Sequence, residues 1–290
     1  MISGAMVAIV TPFNNGQLDE DALRALIEFQ LENGTHAIIP CGTTGESATL
    51  SHAEHKRVVE ITIEQVKGRI PVIAGTGSNN TAEALELTRH AKAAKADAAL
   101  MITPYYNKPS QDGLYHHFKK VATEVPIPIV LYNVPGRTGV NMLPETVARL
   151  AEIDNIQGIK EASGDMAQIA EVIRVCAGKL NVVSGDDFIT LPVLAAGGTG
   201  IISVVSNVNP KLISCMVDAF NRGDLATARE FYLKSLPLCR AMFLETNPVP
   251  AKTALALMGK ISMEVRLPLW SMTSANQEKL TGCLREYQLL

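Results

Sequence analysis

Apolar residues in this chain fall in short unbroken runs rather than in alternation, and the runs recur at fairly regular intervals. Eight of them are rich in β-branched residues: Val7–Pro12, His36–Gly42, Pro71–Gly75, Ala98–Thr103, Pro128–Asn133, Ile156–Glu161, Asn181–Ser184 and Gly200–Val205. A strand with one wet face alternates polar and apolar positions, whereas a strand covered on both faces does not. The runs therefore predict a parallel sheet buried on both sides. Between them the pattern changes to a helical period. Leu23, Leu26, Ile27 and Leu31 form one apolar stripe, closed by Gly34. Ser51 with Glu54, and Asn80 with Glu83, match the capping-box spacing or a close relative of it. Pro144 and Pro210 suit the first turn of a helix, the latter with Asn209 as cap.

Eight strand–helix repeats predict an α/β fold, a (β/α)8 TIM barrel. The rival is an open doubly wound sheet, which would want a nucleotide-binding fingerprint. None is intact: Gly75–Asn80 lacks the third glycine, and Gly42–Glu46 lacks the Gly-Lys-Ser/Thr of a phosphate loop. The barrel is expected over residues 1–223 as the catalytic domain. Residues 224–290 are expected to be a three-helix appendage packed on it, where Leu236, Leu238, Met242 and Phe243 need burial.

Composition narrows the class of function. Hydrophobic residues make up 47% of 290 and charged residues 19%, the balance of a globular protein. A net charge of -3 gives no reason to expect nucleic acid or an anionic membrane surface as partner. The start, Met1–Met6, lacks the basic residues and apolar core of a signal peptide, and no run is long enough to span a bilayer. The cytoplasm is the expected compartment. Five scattered cysteines show no metal-site spacing and predict a reduced protein, with Cys41 a small buried hydrophobe.

One residue needs a chemical explanation. Lys160 is the only lysine inside a run that reads as a strand, and an ammonium buried there must be paired or give up its proton. A neutral lysine is a nucleophile toward carbonyls. The bland alternatives are an ion pair, with Glu161 as candidate, or an amine that snorkels to water. Barrel active sites gather at the carboxyl ends of the strands. Those ends carry Thr11, the turn Gly42-Thr43-Thr44-Gly45-Glu46, Tyr105-Tyr106-Asn107, Tyr132 through Thr138, Lys160, Gly185-Asp186 and Ser203. Each has an ordinary reading. The turn could be a plain strand-to-helix connection, Tyr132 a core phenol, Arg137 a surface cation, and Tyr105 and Tyr106 surface or interface aromatics. Converging on one mouth, they would bring together hydroxyls, a phenol, an amine and a guanidinium. His52 and His55 share a helix face, but as two solvated histidines without a third ligand they predict no metal site.

The motifs Gly42–Glu46, Tyr132–Thr138 and Gly158–Ser163, with Glu245–Pro250 near the end, resemble the dihydrodipicolinate synthases of the pyruvate-dependent Schiff-base aldolase family. The likeness runs from Met6 to the last helix. It implies that Lys160 forms an imine with pyruvate and that the resulting enamine adds to L-aspartate 4-semialdehyde, in the diaminopimelate route to lysine. By the same resemblance Tyr132 shuttles protons, and Thr43 links it to a Tyr106 supplied by a neighbouring subunit. Thr43 and Thr44 hold the pyruvate carboxylate, Arg137 forks the carboxylate of the semialdehyde, and Gly185 and Ile202 line the site. Ser47, Ala48, His52, His55, Asn79, Glu83 and Tyr105 match a site for L-lysine as feedback inhibitor. No metal or organic cofactor is implied, since the lysine itself is the electron sink, and the implied assembly is a homotetramer built as a dimer of dimers. The related N-acetylneuraminate lyases share the lysine and tyrosine; the paired threonines and Arg137 favour the synthase.

Overall fold

The computed structural model describes residues 2–176 and 178–290. Eight of its strands correspond to the eight apolar runs: β1 (Gly4–Ala8), β2 (Ala37–Ile39), β3 (Ile73–Gly75), β4 (Ala98–Ile102), β5 (Ile129–Asn133), β6 (Ile156–Glu161), β7 (Asn181–Ser184) and β8 (Gly200–Ser203). They form one sheet in the order β2-β1-β8-β7-β6-β5-β4-β3. Every pair whose register is resolved in it is parallel. With a helical connection between successive strands, this is the expected (β/α)8 barrel. Three helices follow it, Leu225–Met242, Val249–Leu257 and Ser274–Glu286.

By their internal contacts the residues fall into two compact units. One contains the residues up to Gly4 with Pro71–Ile202; the other contains Ala5–Ile70 with Ser203–Leu290. The first has a core in which Met101, Leu131 and Ile159, from β4, β5 and β6, meet Phe118, Ile169 and Val172 from the helices. In the second, Leu238 and Met242 are buried as expected, but Leu236 is only half-buried and Phe243, at 41% exposed, lies just past the end of its helix.

Several runs extend beyond their strands. After β1 the chain stays buried through Ile9 and Val10 but leaves the regular ladder. The Asn207 side chain satisfies it there, accepting from the Val10 amide at 3.0 Å and donating to the Ala8 carbonyl at 2.8 Å. Burial continues while repeat pairing stops, so an apolar run overestimates strand length. A hairpin of Phe13–Asn14 with Gln17–Leu18 was not anticipated. Its turn is Asn15-Gly16, with φ of 52° and 78°, the pair of positive angles that Asn-Gly supplies to a tight hairpin.

The helix signals divide. Ser51 and Glu54 form a reciprocal capping box, and Asn209 caps the helix that opens at Pro210. Asn80 accepts from the Ala82 amide, while its own amide donates to the Ser78 hydroxyl at 3.0 Å and that hydroxyl also engages Glu83. Among the described residues no helix is long and apolar enough to cross a membrane.

Candidate active site

In the first unit, β5 and β6 pair with Tyr132 opposite Lys160 and Asn133 opposite Glu161. Side chains alternate along a strand, so this register sends the two pairs to opposite faces of the sheet. On one face Lys160 is 6% exposed, with Nζ 4.3 Å from the centre of the Tyr132 ring. Among the described residues no carboxylate lies within ion-pair distance of it. On the other face the Glu161 carboxylate accepts from Asn133 Nδ2 at 3.1 and 3.3 Å and from the Ser163 amide at 2.8 Å. The suggested Lys160–Glu161 pair is therefore absent, because neighbours on a strand point apart. Burial raises the Glu161 carboxyl above its ordinary pKa, against the lowering effect of those hydrogen bonds.

Gly185 follows β7, and its amide donates to the Glu161 carbonyl at 2.7 Å. A Cβ at this position would lie 3.0 Å from Lys160 Cε and 2.7 Å from the Ala162 Cβ. The glycine thus gives the lysine stem its room. Ile202 is buried in β8. Arg137 is exposed on the turn Pro135–Thr138. The Thr138 hydroxyl pins that turn, donating to the Val140 carbonyl at 2.9 Å with the Val134 carbonyl also in reach at 3.2 Å. Tyr105 is at the margin of exposure, and Tyr106 is 89% exposed with φ of 73°. Asn79 lies in the adjoining loop, where its carbonyl accepts from Asn107 Nδ2 at 2.9 Å.

In the second unit, the Gly42–Glu46 turn is closed by the amides of Gly45 and Ser47 on the Gly42 carbonyl and of Glu46 on that of Thr43. The amides of Thr43 and Thr44 donate to no backbone carbonyl among the described residues. The Thr44 hydroxyl accepts from Asn247 Nδ2 at 2.9 Å, which leaves its own proton to donate elsewhere. Gly45 is held by the Thr11 hydroxyl on its carbonyl at 2.7 Å. A Cβ there would press on the Cys41 amide nitrogen at 3.1 Å and the Ile9 carbonyl at 3.2 Å. An amine beside a phenol can add to a carbonyl and move protons, and a turn with two hydroxyls and unpaired amides can hold a carboxylate.

Ser47 is half-buried and Ala48 exposed in the short helical turn that follows. His52 is exposed on the next helix, but His55 is buried, so the two are not a solvated pair. Residues three apart lie about 60° from each other round the helix axis, so at the edge of the covered stripe one side chain can be buried and its neighbour left in water. No group of three His, Cys, Asp or Glu that could hold a metal ion occurs among the described residues. Cys41 is buried, and burial pushes its thiol far above its ordinary pKa.

Comparison with known proteins decides the family. The model of the Dihydrodipicolinate synthetase family matches residues 1–287. The chain belongs to that family. It is accordingly an enzyme of the Schiff-base aldolase/lyase class, and the N-acetylneuraminate lyase alternative gives way. The 4-hydroxy-tetrahydrodipicolinate synthases of Syntrophus aciditrophicus and Geobacter sp. strain M21 are 62% and 60% identical over 290 residues, covering all of both chains. Dihydrodipicolinate synthase from Aquifex aeolicus superposes with a TM-score of 0.98 at 47% identity over 99% of each chain. The chloride-inhibited enzyme of Acinetobacter baumannii, complexed with pyruvate, gives 0.98 at 45% identity over all of both chains. The enzyme of Cyanidioschyzon merolae with lysine bound gives 0.96 at 40% over 99% of each.

The sequence reading missed the support beneath the threonine turn. Lys252, in the helix Val249–Leu257, is buried at 1% exposure with Nζ 2.5 Å from Glu46 Oε1. Arg266 forks Glu54 at 2.6 and 2.9 Å and donates to the Thr49 carbonyl. One signal was available: Lys252 is the single charged residue in a helix that is apolar but for it and Thr253, the same anomaly that marks Lys160 in its strand.

Proposed function

We propose that this chain is a 4-hydroxy-tetrahydrodipicolinate synthase that condenses pyruvate with L-aspartate 4-semialdehyde through Lys160. Lys160 Nζ adds to the keto carbon of pyruvate, and loss of water leaves an imine. A methyl proton departs to give the enamine, whose carbon forms a bond to the semialdehyde carbon. The semialdehyde amine then displaces Lys160 and closes the six-membered ring. The observation that carries this reading is the buried Lys160 amine beside the Tyr132 ring, with no carboxylate among the described residues at ion-pair distance. An amine held there beside a phenol has the nucleophile and the proton carrier that addition to a keto carbon requires.

In this reading Tyr132 carries protons, Thr43 relays to Tyr106, and Thr43 and Thr44 receive the pyruvate carboxylate. Arg137 takes the carboxylate of the semialdehyde, and Gly185 and Ile202 line the site. Tyr106 serves a neighbouring copy of the chain in a homotetramer, a role that its exposure supports. L-lysine binds as inhibitor at Ser47, Ala48, His52, His55, Asn79, Glu83 and Tyr105, by analogy with the lysine-bound relative. We assign catalysis to residues 1–223, a supporting role to 224–290, and the cytoplasm as compartment.

Pyruvate with borohydride should add one reduced pyruvyl mass at Lys160, and aspartate semialdehyde given first should discharge the enamine and reduce the yield. The Lys160→Ala variant should take no label. Label on another lysine, or none on the wild type, would remove this assignment. Calorimetry with L-lysine tests the inhibitor site separately.

A further inference from the structure

The second buried lysine has no part in the chemistry above. Lys252 meets Glu46, the last residue of the threonine turn, at 2.5 Å. The other oxygen of that carboxylate accepts from the Arg266 amide at 3.1 Å. The Phe13 ring lies 4.2 Å from Lys252 Nζ and 4.0 Å from the Arg266 guanidinium. Burial pulls the Lys252 ammonium below its ordinary pKa, while Glu46 pulls the other way. The partners are 206 positions apart in sequence, and both side chains are almost wholly enclosed.

Stability alone gives little reason for such a pair. The desolvation of two charges commonly offsets their attraction, and two apolar residues of similar volume would serve as well. An ion pair differs from an apolar contact in being directional. Glu46 has φ of 53°, a left-handed backbone that a side chain with a Cβ adopts only when its surroundings over-determine it. Two donors converging on its carboxylate supply that determination. The Glu46 amide is bonded to the Thr43 carbonyl, so the orientation of Glu46 is transmitted to the threonines.

We infer that the Lys252–Glu46 pair is a positioning device for the carboxylate-binding turn, holding Glu46 left-handed and so aiming Thr43 and Thr44 at the carboxylate of a 2-oxo acid. This rests on the role given to those threonines above and extends it to two residues that do not touch substrate. Both are positioning residues.

The test uses the full chain as wild type, the double variant Glu46→Gln/Lys252→Met, and Lys252→Arg. The double variant removes both buried charges and should stay folded, with a circular dichroism spectrum and melting temperature near those of the wild type. Its KM for pyruvate should rise about tenfold or more, with kcat and the KM for the semialdehyde changed less than about twofold, the pattern of lost ground-state binding. Lys252→Arg should recover most of the pyruvate affinity. A folded double variant with the wild-type pyruvate KM overturns the inference, as does a fall in kcat at constant KM. If the double variant loses its fold, Lys252→Met alone is read in its place, and a wild-type pyruvate KM there overturns the inference too. Borohydride trapping of the wild type separates the two levels: no adduct at Lys160 removes the active-site reading itself, whereas an adduct with unaltered KM in the double variant removes only this one.

Discussion

Lys160 and Lys252 are both buried, and what faces each Nζ distinguishes them: an aromatic ring at 4.3 Å for the first, a carboxylate at 2.5 Å for the second. Sequence exposed Lys160 because a lysine inside a β-branched run is conspicuous. It passed over Lys252 because lysine is an ordinary helix residue, and only the apolar character of that particular helix betrays it. Gly185 has a definable cost of substitution. In Gly185→Ala the new methyl would lie 3.0 and 3.1 Å from Cε and Cγ of Lys160, and 2.7 Å from Ala162. The stem or the strand end must shift, and a displacement approaching 1 Å at a reacting group costs on the order of 10²-fold in rate. We expect kcat and the rate of pyruvate trapping to fall by about that much. Single-turnover kinetics on Gly185→Ala would show it, and a wild-type rate would mean that the lysine stem has room to spare.

Elements were legible where their determinants are local. The Ser51–Glu54 box closes within three residues, so spacing alone revealed it. At Asn80–Glu83 the spacing is the same, but the cap amide goes to the Ser78 hydroxyl and the cap side chain to the Ala82 amide. The Asn15-Gly16 hairpin carried a good local signal but has strands of only two residues, too short for any apolar pattern to appear. At the strand pair β5–β6, side chains on the covered face lock the register that matters on the other. Asn133 and Glu161 are bonded to each other directly beside the Tyr132–Lys160 pair. Removing the carboxylate in Glu161→Ala leaves the Ser163 amide without that acceptor and Asn133 with fewer. Such losses cost about 1–3 kcal/mol when the group is buried. Urea denaturation should show a loss of that size, and kcat should fall with it as the strand ends loosen. A stability loss with full activity would show that register is held by the backbone ladder alone.

For the whole molecule, acid sensitivity has an identifiable source. His117 is buried, with Nδ1 2.9 Å from the Thr81 hydroxyl, and burial lowers its pKa from 6.5 to about 4. The unfolded chain therefore binds a proton below pH 6.5 that the folded chain refuses until about pH 4. Stability attributable to the neutral ring is complete above the unfolded pKa and declines as pH falls. Between pH 7 and pH 5 the decline is about 2 kcal/mol by linkage. Glu28 and Glu54, held near 2 by hydrogen bonds from Arg69 and Arg266, titrate below that window. Urea unfolding at pH 7 and pH 5 should reveal the loss in the wild type and a much smaller one in His117→Gln. Equal losses in both would assign it elsewhere.

Runs and periods are properties of neighbouring residues, so the amino-acid order by itself determined the eight strands, the helices between them and the three that follow. It also determined the motifs that resemble a known family and the anomaly of a lysine in a strand. Which face each side chain takes at a helix turn, as with buried His55 and exposed His52, depended on what the helix packs against. The props of the threonine turn depended on tertiary structure entirely. Asn247 reaches Thr44 across 203 positions, Lys252 reaches Glu46 across 206, and Arg266 reaches Glu54 across 212. No pattern within a run of ten residues contains such partners, because folding, through burial and directional hydrogen bonding, is what first brings them within contact distance.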